Sequence, residues 1–187
     1  MKASCSNSES EVGEVLFSAE ALGRRVAELG NEITLAYRND PPLVIAVLKN
    51  ATVFACDLIR NIDLPVQVDF LAITRFKKEQ PARGVRILKD IDQDISGKSI
   101  LMVQDIVDTG FTTNYLLKNL KARHPGELAV CALLDRRSIR IIDVPVEYRG
   151  FTVGEDYVVG YGLDYRDRYG NLPYIARLQV TSAAAEG

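Results

Sequence analysis

Apolar residues recur along this chain at two distinct spacings. Between Ser18 and Arg38, the residues Leu22, Val26, Leu29, Ile33 and Tyr37 follow one another at three- and four-residue steps, which puts them on one face of a helix. Ser18 is a natural N-cap, and Pro41-Pro42 bars continuation. Leu43 to Leu48 is instead a short, almost uniformly apolar run, the pattern of a strand covered on both faces, and a helical stretch follows from about Thr52 to Ile62. The alternation returns with Val66 to Ile73, with Ser99 to Val103 leading into a helix over Thr112 to Ala122, and with Leu128 to Leu134. Strands alternating with helices predict right-handed crossovers and an α/β fold with a parallel central sheet flanked by helices. Ligands of such sheets sit at the carboxyl ends of the strands.

Two stretches depart from the alternation. Residues 74 to 86 are polar and basic without an apolar stripe, which reads as a long lid or binding loop. The segment from about Ile139 to Ala176, rich in Tyr, Val and Gly, reads as short strands and turns forming a small hood subdomain over the sheet edge. Residues 1 to 12 and 181 to 187 lack apolar pattern and are expected as flexible tails around a single domain over 13 to 180.

Composition narrows the partners. Against 25 acidic side chains stand 23 basic ones, a net charge of −2, so no general attraction to nucleic acid or to an anionic membrane is expected. Cys5, Cys56 and Cys131 are odd in number and widely spaced, and His124 is the sole imidazole, which argues against both a zinc site and a disulfide framework. No apolar run approaches the roughly 20 residues that span a bilayer, and the Ser-rich, acidic start is unlike a signal peptide. A cytoplasmic protein with a small-molecule partner is the expectation. His124, in a His-Pro-Gly loop, and the cluster Arg136, Arg137 and Arg140 read as solvated surface.

The chemistry concentrates between residues 100 and 113. This run places Gln104, Asp105 and Asp108 at the carboxyl end of a buried strand and turns through Thr109-Gly110 into a helix carrying Phe111, Thr112 and Thr113. Small residues and hydroxyls at a helix N-terminus suit a phosphate, and carboxylates beside it can hold ribose hydroxyls or a magnesium ion. Taken alone, an Asp-Thr-Gly is as readily a helix cap. The Walker loop, with its Gly-Lys-Ser/Thr ending, is absent.

The longer pattern, an apolar strand followed by Gln104-Asp105, two apolar residues and Asp108-Thr109-Gly110, resembles the signature of the type I phosphoribosyltransferases. Within these the chain is most similar to the purine, hypoxanthine-guanine group. Further blocks carry the resemblance in order: Val47 to Arg60, Leu133-Leu-Asp135, Tyr157 to Tyr165, and Asn171 to Ile175. The resemblance implies magnesium-dependent transfer of a phosphoribosyl group from 5-phosphoribosyl diphosphate to a 6-oxopurine, giving a nucleoside monophosphate and pyrophosphate. It further implies Asp108 as the base that takes the purine N7 proton, Gln104 and Asp105 at the ribose, and Thr109 to Thr113 around the 5′-phosphate. Lys49 and Asn50 would hold pyrophosphate, Arg136, Tyr157 and Val158 the purine, and Arg75 and Phe76 would belong to the lid. Magnesium would meet Asp164, with Gln104 and Asp105 nearby, and relatives commonly form homodimers or homotetramers.

Several positions differ from the family pattern. Gln104 replaces a glutamate, Arg136 a lysine, Asn50 a glycine and Gly170 an arginine, while Arg75-Phe76 stands in place of Ser-Tyr. A relative with altered base choice, or one that binds nucleotides as a sensor or regulator, stays open on these residues.

Overall fold

The computed structural model describes residues 10–75 and 85–180. Helix α1 (Ala19–Ala36) begins where the sequence places it, with Ser18 Oγ accepting the Ala21 N–H at 3.3 Å. It buries Leu22, Val26, Leu29, Gly30 and Ile33, and it ends before the two prolines. Strand β2 (Leu43–Leu48) leads into helix α2 (Thr52–Ile59) and strand β3 (Gln67–Arg75), then β4 (Val85–Lys89), β5 (Ser99–Val107), helix α3 (Phe111–Lys121), β6 (Glu127–Asp135) and β7 (Tyr148–Thr152). The six strands form one sheet in the order β4-β3-β2-β5-β6-β7, parallel except for β4, which runs antiparallel to β3.

Alternate side chains of the central strands feed two cores. Val44 and Ala46 of β2 with Leu101 and Val103 of β5 pack against α1 and α2. Leu43, Ile45 and Val47 with Ile100 and Met102 pack on the other face against Leu116, Leu117 and Leu120 of α3. That two-sided burial is the physical reason these strands are nearly continuous apolar runs.

Strands β1 (Ser10–Phe17), β8 (Val158–Val159) and β9 (Ile175–Val180) form a second, antiparallel sheet in the order β1-β9-β8. Three boundaries therefore differ from the sequence reading. Ser10, Glu11 and Val12 are not tail but strand, paired with Val180, Gln179 and Leu178; partners more than 160 residues away leave no local signal. Strand β7 lies inside the segment read as hood, yet it extends the main sheet beside β6. Thr74 and Arg75 pair with Arg86 and Val85, so both ends of the expected loop are strand, and residues 76–84 lie outside the described residues. Among the described residues no helix is long and apolar enough to cross a membrane.

Candidate active site

The chain leaves β2 toward β3 on one side and returns to place β5 on the other, so the strand order reverses between β2 and β5. The crevice outside the carboxyl ends at such a reversal is where open α/β sheets bind ligands. Here it is a cavity of about 440 Å³. Lys49 and Asn50 reach it from the end of β2, Gln104, Asp105 and Asp108 from β5, Thr112 from α3, and Arg136 from the end of β6. Tyr157, Val158 and Asp164 close it from the hood. The cavity thus gathers ten residues named from the sequence.

The turn after β5 is fixed by its glycine and opens onto a helix start. Gly110 has φ 87° and caps α3, and a Cβ there would stand 2.2 Å from the Ile142 carbonyl oxygen, so only glycine fits. No side chain caps this helix, which leaves its first N–H groups to a ligand. Asp108, Thr109, Gly110, Thr112 and Thr113 line a smaller cavity of about 110 Å³ at this end. Phe111 is 52% exposed on the first turn of α3. Thr113 is buried, and its hydroxyl donates to Gln104 Oε1 at 2.8 Å, tying β5 to α3. The amide oxygen through which Gln104 would meet a cation is thereby engaged.

Asp108 faces a cation. Arg136 Nη1 lies 3.1 Å from Asp108 Oδ1, while Nη2 donates to the Asp156 carbonyl at 2.7 Å. Despite that proximity Asp108 Oδ1 is buried without a hydrogen bond among the described residues. Tyr157 is 65% exposed at the cavity mouth, and its ring meets Tyr165 edge to face with centroids 6.4 Å apart. It is a free aromatic surface, not a core residue.

A second opening of about 590 Å³ is bordered by Lys49, Asn50, Asp164, Asp167, Arg168 and Gly170. The peptide between Leu48 and Lys49 is cis. Lys49 Nζ hydrogen-bonds Asp167 and lies 3.6 Å from Asp164 Oδ2; the Asp167 bond first and the charge of Asp164 second hold its ammonium above the ordinary lysine value. Gly162 packs on this loop, where a Cβ would come within 2.3 Å of the Asn50 carbonyl oxygen. The Tyr161 hydroxyl donates to Asp57 on α2 at 2.5 Å. Burial, and then this bond, push the phenol well above its usual range.

Among the described residues no group of three or more His, Cys, Asp or Glu forms a metal cluster. Asp105 and Asp164 nevertheless line one cavity with oxygen donors only, the set expected of a magnesium ion that keeps water and phosphate as its other ligands.

The arginines after β6 correct the sequence reading. Arg136 and Arg140, expected as solvated face, are instead withdrawn from solvent, at 7% and, for the side chain, 11% exposure, whereas Arg137 is 63% exposed as expected. Arg137 and Arg140 both bind the fully buried carboxylate of Asp135, and Arg149 of β7 joins them with Nε 2.6 Å from Oδ2. An acid closing the apolar run Leu128 to Leu134 was the available signal; its partners lie across the fold. Arg168 and Asp167 also border the site. Arg75 ends β3, nothing is described of its side chain, and Phe76 lies outside the described residues.

Comparison with known proteins identifies the family. The family described as phosphoribosyl transferase domain matches residues 13–166. The chain is 45% identical over 175 residues to the hypoxanthine-guanine phosphoribosyltransferase of Mycobacterium avium, covering 90% of this chain and 86% of that one. It is 40% identical over 168 residues to the hypoxanthine phosphoribosyltransferase of Salmonella typhimurium, with 88% and 94% covered. The crystal structure of a hypoxanthine-guanine phosphoribosyltransferase from Bacillus anthracis is similar at a TM-score of 0.85 and 38% identity, over 91% of this chain and all of that one.

Proposed function

The chain belongs to the phosphoribosyl transferase family, and from that premise we propose that it joins hypoxanthine or guanine to 5-phosphoribosyl diphosphate in purine salvage. The products are the nucleoside monophosphate and pyrophosphate. The observation that carries this reading is the single crevice in which the Asp105 to Thr112 strand end faces Lys49 on one side and Tyr157 on the other.

In the proposed reaction the 5′-phosphate sits on the uncapped start of α3, among Thr109, Gly110, Thr112 and Thr113. Asp105 accepts the ribose hydroxyls, and its charge favours the oxocarbenium character that develops at C1′. The C1′–oxygen bond to diphosphate breaks as the C1′–N9 bond forms, and the N7 proton passes to Asp108. Lys49 exchanges Asp167 for the diphosphate, and Arg168 borders the same opening. Tyr157 stacks on the purine beside the Val158 backbone, and Arg136, anchored on the Asp156 carbonyl, donates to the 6-oxo group. Asp164 and Asp105 would hold magnesium, which would neutralise diphosphate charge. The resemblance also implies a homodimer or homotetramer, which light scattering on the purified protein tests.

The decisive assay incubates the protein with 5-phosphoribosyl diphosphate, magnesium and a panel of purines, and measures pyrophosphate release and nucleotide formation. Turnover with hypoxanthine or guanine is expected. Turnover with another base alone would move the specificity to Arg136, and nucleotide binding without turnover would replace the enzyme with a sensor.

A further inference from the structure

Three arginines converge on the Asp135 carboxylate, which is 0% exposed, but among the described residues only one of these side chains hydrogen-bonds beyond it. Arg140 binds Asp135 Oδ1 and also donates Nη2 to the Val107 carbonyl at 2.9 Å and Nε to the Asp108 carbonyl at 2.6 Å. The next two residues continue the grip, since the Ile141 and Ile142 N–H groups donate to the Thr109 carbonyl at 3.0 and 2.9 Å. Gly110 then packs against the Ile142 carbonyl with no room for a Cβ. Every carbonyl from Val107 to Thr109 is therefore held by residues 140–142. With its carbonyls fixed behind it, the turn offers its N–H side and the Asp108 carboxylate to the cavity.

We propose that Arg140, aimed by the buried Asp135, is a positioning residue that sets the turn carrying Asp108 and the phosphate cradle. Arg137 and Arg149 serve the same carboxylate, and among the described residues neither side chain hydrogen-bonds the turn. Arg140 is 11% exposed and Arg149 31% exposed at their side chains, so Arg149 is a control of similar chemistry that differs in reach. The inference rests on the proposed transfer reaction for its rate effect but not for its phosphate effect.

The test compares Arg140→Lys with Arg149→Lys in the full chain. A lysine keeps the charge beside Asp135, but its single ammonium cannot also span two turn carbonyls. Three quantities are measured: melting temperature, kcat with hypoxanthine or guanine, and the Kd of ribose 5-phosphate by calorimetry. Arg140→Lys is expected to lower kcat about tenfold or more and to weaken ribose 5-phosphate by about tenfold, as a small misplacement of reacting groups does. Arg149→Lys is expected to leave kcat and Kd within about twofold whatever its melting temperature. Asp135→Asn, which leaves Arg140 present but unaimed, should reproduce the Arg140 losses in the folded protein and replaces that variant if it does not fold. Parallel losses in the Arg140 and Arg149 variants, scaling with melting temperature, overturn the proposal, as does wild-type behaviour of Arg140→Lys. An inactive wild-type protein in which ribose 5-phosphate still weakens only with the Arg140 and Asp135 variants would sink the reaction while upholding the positioning role.

Discussion

Asp108 illustrates how much one residue draws from its surroundings. Its side chain lines the cavity with Oδ1 buried and 3.1 Å from the Arg136 guanidinium, which is itself tethered to the Asp156 carbonyl. Replacing it with asparagine keeps the shape and removes the base. We expect kcat to fall by about 10² to 10⁴ while calorimetry shows nearly unchanged binding of 5-phosphoribosyl diphosphate; equal turnover would refute the assignment. Thr113 acts at the same scale through one bond. Thr113→Val leaves the buried Gln104 Oε1 without its donor, which should cost about 1–3 kcal/mol in urea unfolding. Both acids and the Gln104 substitution were legible in the sequence. The Thr113 contact was not, because two residues nine apart meet only after β5 and α3 dock.

At the scale of elements, local signals were reliable where local physics decides. The cap at Ser18, the helical step of Leu22 to Ile33 and the prolines gave α1 nearly to its ends. Ser18→Ala should lower stability by about 0.5–2 kcal/mol, toward the lower end because the cap bond is long and exposed. Thermal melting measures it. Elements defined by distant partners were misplaced. Strand β1 carries an interrupted apolar pattern and exists through pairing with β9, with register shifts at Val15 and Phe17. Its attachment to the main sheet includes Phe17 stacked on Phe151, with centroids 4.2 Å apart. Phe17→Ala should therefore destabilise the fold by on the order of 2 kcal/mol, about half the cost of truncating a fully buried phenylalanine. If the melting temperature does not move, this contact does not fasten the hood.

Across the whole molecule, one buried charge ties the sheet to its active end. Burial would raise the Asp135 carboxyl, but hydrogen bonds from Arg137, Arg140 and Arg149 outweigh it and hold the group below its ordinary value of 3.8. A lowered folded value means the carboxylate's contribution to stability is complete above the unfolded value and is lost as pH falls through the folded one. Asp135→Asn should therefore cost about 3–5 kcal/mol at neutral pH. That difference from wild type should shrink steadily in urea unfolding below about pH 4; a constant difference would contradict the charge-based account. The sequence alone determined the alternation of buried strands and helices, the acidic strand end with its glycine turn, and the family, because these are matters of local spacing and residue type. Only tertiary structure decided that residues 10–12 are strand, that β7 belongs to the main sheet, and that Arg140 binds the buried Asp135 together with the carbonyls of the Asp108 turn. Each of these is a contact between distant segments, whose energy appears only when burial removes water from both partners at once.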